Sequence, residues 1–345
     1  MRSGWIGTGK IGRKFEEKFS EFMGGGHSVA VNSCTMAMQL ALRVCNLGEN
    51  KEVITTPLTF AATINAILRE GAKPIFIDVD DRGCLNPDYI KGAMTNKTQR
   101  LLPVHYTGSA VNMGELDRIS KFHGLAVIED AAHGFGGEYI QNGHGRKLGS
   151  IGDFGCFSFY STKNITCSEG GMVFTRNGEL AERIRTLSNQ GQTSGAWNRY
   201  TNGPILPYEI AHDGYKGNLP DILAAIGLVQ LERWPELQEK RSKIWRIYED
   251  NFGLKEPGHS MHLYTIKVKN RDSFRMRMWE AGIGTGIHFT PLHLEPGFKF
   301  LGSKEGDFPV SERIGKETVS LPISTTMTED DVYRVVNAVK SNREE

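Results

Sequence analysis

Three stretches carry residue types that could do chemistry together. In the first, Asn32-Ser33-Cys34-Thr35-Met36-Ala37, a short apolar run ends in small polar residues and a helical run begins. Free backbone N–H groups and the positive end of a helix dipole make such a junction an anion site. Taken alone it reads as a plain helix N-cap. The second stretch, Val127-Ile128-Glu129-Asp130-Ala131-Ala132-His133, delivers an acid at the end of an apolar strand. Ligands sit at the carboxyl ends of strands in open α/β sheets, although an exposed loop acid is the plainer reading. The third, Phe157 to Thr166, sets one lysine, Lys163, between an apolar strand and the pair Gly170-Gly171. A lysine held against apolar groups has its pKa lowered and can act as a nucleophile; a lone loop lysine is usually only a solvated charge.

A fourth motif is a decoy. Gly7-Thr8-Gly9-Lys10-Ile11-Gly12 fits GxGxxG. A dinucleotide fingerprint needs a strand before it and an acid about 20 residues beyond. Only six residues precede this one, and they form no apolar strand. It is expected to be a glycine-rich loop leading into a helix.

These residues need elements that bring them together. Arg13 to Met23 places Phe15, Phe19 and Phe22 at helical spacing, and Gly24-Gly25-Gly26 stops the run. VAVNS, KEVITTP, KPIFIDVD, LLPVHY, LAVIED, GCFSFY and GMVFT read as strands, separated by helical stretches at 35–45, 59–70, 112–123 and 178–188. Strands alternating with helices predict a largely parallel sheet covered on both faces, an α/β fold. A long helical stretch runs from Asp221 to Phe252; beyond Gly253, MHLYTIKV and GTGIHF read as strands and 329–341 as a terminal helix. The expected organisation is a large domain over 1–235 and a smaller α+β domain over 236–345.

On such a scaffold an anion cradle, an acid and a lysine, in that chain order, are what a pyridoxal phosphate site requires. The helix N-terminus holds the phosphate, the acid pairs with the pyridine nitrogen and the lysine forms the Schiff base.

Composition describes a folded chain and argues against other classes. The chain has 345 residues with 41 Lys+Arg against 40 Asp+Glu, a net charge of +1. That balance offers no electrostatic case for nucleic acid or an anionic membrane surface. Hydrophobic residues at 39% and charged residues at 23% describe a folded chain. The five cysteines are scattered with no CxxC spacing, so neither a metal site nor a disulfide framework is expected. No apolar run reaches the roughly 18–20 residues of a membrane span, and the first ten residues lack the apolar core of a secretory signal. The cytoplasm is the expected compartment.

Longer motifs sharpen the reading. ITTPLTFAAT, PIFIDVD, PVHYTG, VIEDAAHG, FSFYSTKNITCSEGGM, DILAAIGLVQLER, GIGTGIHF and SERIGKETVSLPI run through nearly the whole chain. With them the sequence resembles the DegT/DnrJ/EryC1/StrS sugar aminotransferases, pyridoxal phosphate enzymes of the aspartate aminotransferase-like fold type I. VHYTG, EDAAH, KNITC and GYK-x-NL look most like the members that make UDP-4-amino-4-deoxy-L-arabinose. The resemblance implies roles by position. Lys163 is the Schiff-base lysine and proton shuttle, and Asp130 keeps the pyridine nitrogen protonated. His133 meets the ring hydroxyl, and Phe60 stacks on the ring. Thr35, the backbone of Met36 and Ser158 bind phosphate. Lys216 and Asn218 reach the phosphate of a neighbouring subunit, which implies a homodimer with shared sites. His288 lies in a segment lining the sugar-nucleotide cleft. Two positions depart from the pattern: Cys34 stands where glycine is common, and Gly217 where an aromatic residue is common.

The resemblance implies transfer of an amino group to a nucleotide-linked 4-ketosugar, UDP-linked by preference, with L-glutamate as donor and 2-oxoglutarate as product. Three alternatives stand beside it. A family dehydratase carries histidine in place of the lysine, and here the residue is Lys163. A keto-cyclitol acceptor and a non-catalytic homologue are the others.

Overall fold

The computed structural model describes residues 4–193 and 208–343. Helix α1 (Lys10–Phe22) leads to β1 (His27–Val31), α2 (Cys34–Val44), β2 (Glu52–Thr55), α3 (Ala61–Arg69) and β3 (Lys73–Phe76). The short α4 (Ile90–Ala93), β4 (Thr98–Leu101), α5 (Met113–His123) and β5 (Ala126–Asp130) follow. A hairpin of β6 (Glu138–Gln141) and β7 (His144–Lys147) precedes β8 (Phe154–Ser158), β9 (Gly171–Thr175) and α6 (Gly178–Ser188).

These strands form a seven-stranded sheet in the order β1-β9-β8-β5-β4-β2-β3. Strands β3, β2, β4, β5 and β8 run parallel, while β9 is antiparallel to both β8 and β1. The sheet is therefore mixed and mostly parallel. Its strands are short and mostly buried, as crossover helices on both faces require; β4, with Gln99 and Arg100 at its centre, is the polar exception. Side chains alternate along them and feed two cores. Val29, Val31 and Val173 join α2 and α6 on one face. Ala30, Met172 and Phe174 join Phe15 and Phe19 of α1 on the other.

Beyond the sheet come α7 (Asp221–Glu232), α8 (Trp234–Phe252), β10 (Tyr264–Lys267), α9 (Arg271–Glu280), α10 (Pro309–Glu317), β11 (Thr318–Leu321) and α11 (Glu329–Asn342). The long helical stretch is thus two helices that part at Arg233, just before Pro235; proline is tolerated in a first turn but not in a helix interior. Antiparallel β10 and β11 cover a separate core that includes Trp245, Tyr248, Tyr264, Phe274 and Val336. GTGIHF is a correction: it forms no strand, and its backbone meets β11 through an isolated bridge from Gly286 to Ser320. Its glycines supply no side chains for a pleated face, and the segment lines a cavity instead.

Candidate active site

The decoy motif closes on the protein itself. The N–H groups of Gly9 and Gly12 donate to Asp221 Oδ1 at 2.8 and 2.9 Å, and that of Ile11 to Oδ2 at 3.1 Å. A carboxylate from the start of α7 thus occupies the anion site at the start of α1.

The start of α2 is built differently. Ser33 caps it, its Oγ accepting from Met36 N at 3.2 Å. The N–H groups of Cys34 and Thr35, in the first turn, have no intrahelical carbonyl to reach. Cys34 and Thr35 line a cavity of about 680 Å³. Gly171 allows this closeness: a Cβ there would lie 2.5 Å from the Ser33 carbonyl carbon and 2.7 Å from Cys34 N.

Thr35, Phe60, Asp130, His133, Ser158, Lys163 and His288 all line that one cavity. Strand β5 delivers two consecutive acids to opposite fates. Glu129 is fully buried and accepts from the N–H groups of Gly149, Ile151 and Gly152 at 2.7–2.8 Å, and it bonds His105. Asp130 points to the cavity, with Oδ2 accepting from Thr63 Oγ1 at 2.8 Å and Oδ1 from Ala132 N at 3.1 Å. Burial raises its pKa, against the lowering effect of Thr63, the Ala132 N–H, Lys163 and His105. A cationic partner on its open side would offset the burial.

Lys163 follows β8 in a turn closed by its own N–H donating to Tyr160 O at 3.0 Å. Burial lowers its pKa, while Cys34 and Asp130 pull the other way. A lysine amine shifted downward is more available as a free base. His133 is buried and held neutral, first by burial and then by Lys163, His288 and His259; its Nδ1 has no partner. His288 bonds Ser320 Oγ through Nδ1 at 2.8 Å, and its pKa is pushed down to about 4, chiefly by burial. Phe60 caps the mouth, 63% exposed.

Three expected site residues do not line this cavity. The Met36 N–H is taken by Ser33. Lys216 and Asn218 lie beyond Asn32, on the outer side of the cradle. Lys216 Nζ donates to Asn218 Oδ1 at 2.5 Å, and Asn218 Nδ2 donates to Thr8 Oγ1 at 2.6 Å. Gly217 between them fits because Met36 occupies the space: a Cβ would lie 2.5 Å from Met36 Cγ.

Sequence reasoning missed Thr63, which orients Asp130, and Thr59, 2.7 Å from the Thr63 hydroxyl. Their spacing of four residues at the start of α3 is the signal that could have found them. It also missed His262 and Phe289 on the cavity wall; nothing local in MHLYTIKV or GIHF marks them.

The cavity fits pyridoxal phosphate on its own features. It joins an open helix N-terminus for a phosphate, a buried acid with an open side, a lysine with a lowered pKa and an unpartnered buried imidazole nitrogen. Among the described residues no cluster could hold a metal ion, and no helix is long and apolar enough to cross a membrane.

Comparison with known proteins leads to the same chemistry. The spore coat polysaccharide biosynthesis protein SpsC of Bacillus subtilis is 41% identical, over 99% of this chain and 91% of that protein. Spr1654 of Streptococcus pneumoniae, solved in its PMP form, superposes with a TM-score of 0.91 at 29% identity, over 99% of this chain and 93% of that one. PseC of Helicobacter pylori, an aminotransferase of pseudaminic acid biosynthesis, superposes with a TM-score of 0.91 at 26% identity, with the same coverage. The family match runs over residues 1–340. With its lysine, acid and cradle facing one another, the chain belongs to the DegT/DnrJ/EryC1/StrS aminotransferase family, transaminases that work with pyridoxal phosphate.

Proposed function

We propose that the protein transfers the amino group of L-glutamate to the keto carbon of a nucleotide-linked 4-ketosugar. The observation that carries the reading is the joining of Lys163, Asp130 and the open start of α2 in one cavity, with His288 and Phe289 on its far wall. Bound pyridoxal phosphate supplies an aldehyde to carry the amino group and a ring to delocalise the electron pair left by a departing proton.

The protein's own groups do the rest. The Cys34 and Thr35 N–H groups, with Ser158, hold the phosphate. Asp130, oriented by Thr63 and Ala132, keeps a positive charge on the ring nitrogen. Phe60 covers one face of the ring, and neutral His133 hydrogen-bonds the ring hydroxyl. The Lys163 amine takes the proton from the donor carbon and returns it to the acceptor in the second half of the cycle. Proton transfer by a positioned base typically contributes roughly 10²–10⁴-fold.

A second copy of the chain completes each site in this reading. Lys216 and Asn218 do not line their own cavity, and Phe60 is exposed at its mouth. Ile222, Ile226 and Val229 of α7 leave an apolar face 43–51% exposed. A dimer that covers this face would set Lys216 against the partner's phosphate.

Single turnover of the pyridoxamine form against UDP-, dTDP- and GDP-linked 4-ketosugars, with product mass as readout, tests the acceptor. Amination of a nucleotide-linked 4-ketosugar is the expected result. Turnover of keto-cyclitols alone would overturn it. Mixing Lys216→Ala with Lys163→Ala subunits tests the dimer. One site of each mixed dimer then carries both defects and the other neither, so mixing should restore about half the normal activity at limiting cofactor.

A further inference from the structure

Asn164, directly after the cavity lysine, is a buried hub. Its Nδ2 donates to Phe135 O at 3.1 Å and to Ser260 O at 2.8 Å. Both hydrogens therefore go to carbonyls, which only accept, so the orientation of the amide is settled. Its Oδ1 lies 3.0 Å from His262 Nδ1 and can only accept there. The proton of His262 consequently sits on Nδ1.

The ring is also neutral. It is buried, and the ionisable groups that face it are basic: Lys163, His133, His288 and Arg241. Arg241, from α8, donates to Met261 O at 3.1 Å and to His262 O at 3.5 Å. A neutral imidazole has one N–H, so Nε2 is bare. His262 lines the cavity with Lys163 and packs on the His133 ring at 4.5 Å between centroids.

We propose that His262 is a hydrogen-bond acceptor of fixed polarity, set by Asn164, that holds an N–H of the amino group being transferred. An acceptor that cannot become a donor favours an amine over a ketone at the same place, because a carbonyl oxygen offers it no hydrogen. Its low basicity lets it hold the amine without taking a proton from it. His262 is thereby a specificity-determining residue, and Asn164 the positioning residue behind it. The inference rests on the reading of the cavity as the site of amino transfer.

Equilibrium binding tests it without turnover. The probes are pyridoxamine 5'-phosphate, which carries the amine on an aminomethyl group, and 4'-deoxypyridoxine 5'-phosphate, which has a methyl group in place of that aminomethyl group. His262→Phe should weaken the first by about tenfold, the size of one hydrogen bond, and leave the second within about twofold. Asn164→Asp, which invites a second proton onto His262 and turns Nε2 into a donor, should weaken the amine probe in the same selective way. Equal losses for both probes, or none, overturn the proposal. Failure of the parent protein to bind either probe overturns the amino-transfer reading beneath it. Nitrogen NMR of histidine-labelled parent protein gives an answer that needs no variant. A neutral His262 with its proton on Nδ1 at pH 7 supports the proposal, and an imidazolium or a proton on Nε2 overturns it.

Discussion

Two helix starts in this molecule offer the same physics and are used in opposite ways. Helix α1 opens on glycines whose N–H groups converge on Asp221, a carboxylate of the same chain. Helix α2 opens on Ser33, Cys34 and Thr35 and keeps its first N–H groups toward the cavity. The glycine-rich start carries the more famous motif and holds the fold together. The less conspicuous start faces the lysine. A helix N-terminus is thus only a capacity for anions; what fills it is decided by whether the chain supplies its own carboxylate.

Four substitutions test this contrast, in order of decreasing effect. Lys163→Ala, on the open side, should abolish transamination and borohydride-trappable cofactor while leaving the unfolding midpoint nearly unchanged. A loss of only a few-fold in rate would break the assignment. Asp130→Asn keeps shape but removes the charge that supports a positive ring nitrogen; the rate should fall on the order of 10²-fold or more, measured as single-turnover kinetics. Gly171→Ala forces a methyl group against Ser33 and Cys34. It should weaken retention of pyridoxal phosphate by about tenfold, read as the equilibrium constant of the visible cofactor band. Asp221→Asn, on the closed side, leaves an oxygen to accept but removes the charge. It should cost about 1–2 kcal/mol of stability and lower the melting midpoint by a few degrees, with turnover per folded molecule unchanged. A fall in turnover there would erase the distinction between the two ends.

Most of the fold was legible because its strands are short apolar runs broken by turn residues, and its helices show three- and four-residue spacing. GTGIHF misled because β-branched and aromatic residues followed its glycines, yet only Gly286 pairs with a strand. The lysine, acid and cradle were legible as a set, since each sits at the end of a strand and the parallel order brings those ends to one edge. The backbone of Met36 was expected to bind phosphate, whereas its N–H donates to the Ser33 side chain. Asn164 and His262 stayed hidden because their bond spans 98 residues, and no local pattern encodes a contact between the lysine loop and the approach to β10.

The position of β9 has a consequence for synthesis. Strand β1 pairs with β9, residue for residue from His27 with Thr175 to Val31 with Gly171, and Val31 adds a single bridge to Asn218. Helix α1 rests on α7, whose Asp221 seals its start. While the chain emerges from the ribosome, β2, β3 and β4 can find one another early, but α1 and β1 have no sheet to join until β9 and then α7 arrive. At about 5–20 residues per second that delay is on the order of ten seconds or more. During it Phe15 and Phe19 lack Phe157, Phe159 and Met172, and the valines of β1, though they can meet α2, lack Val173. The glycines at either end of α1, poor helix formers and poor strand formers alike, limit what this leading segment can build before its neighbours exist.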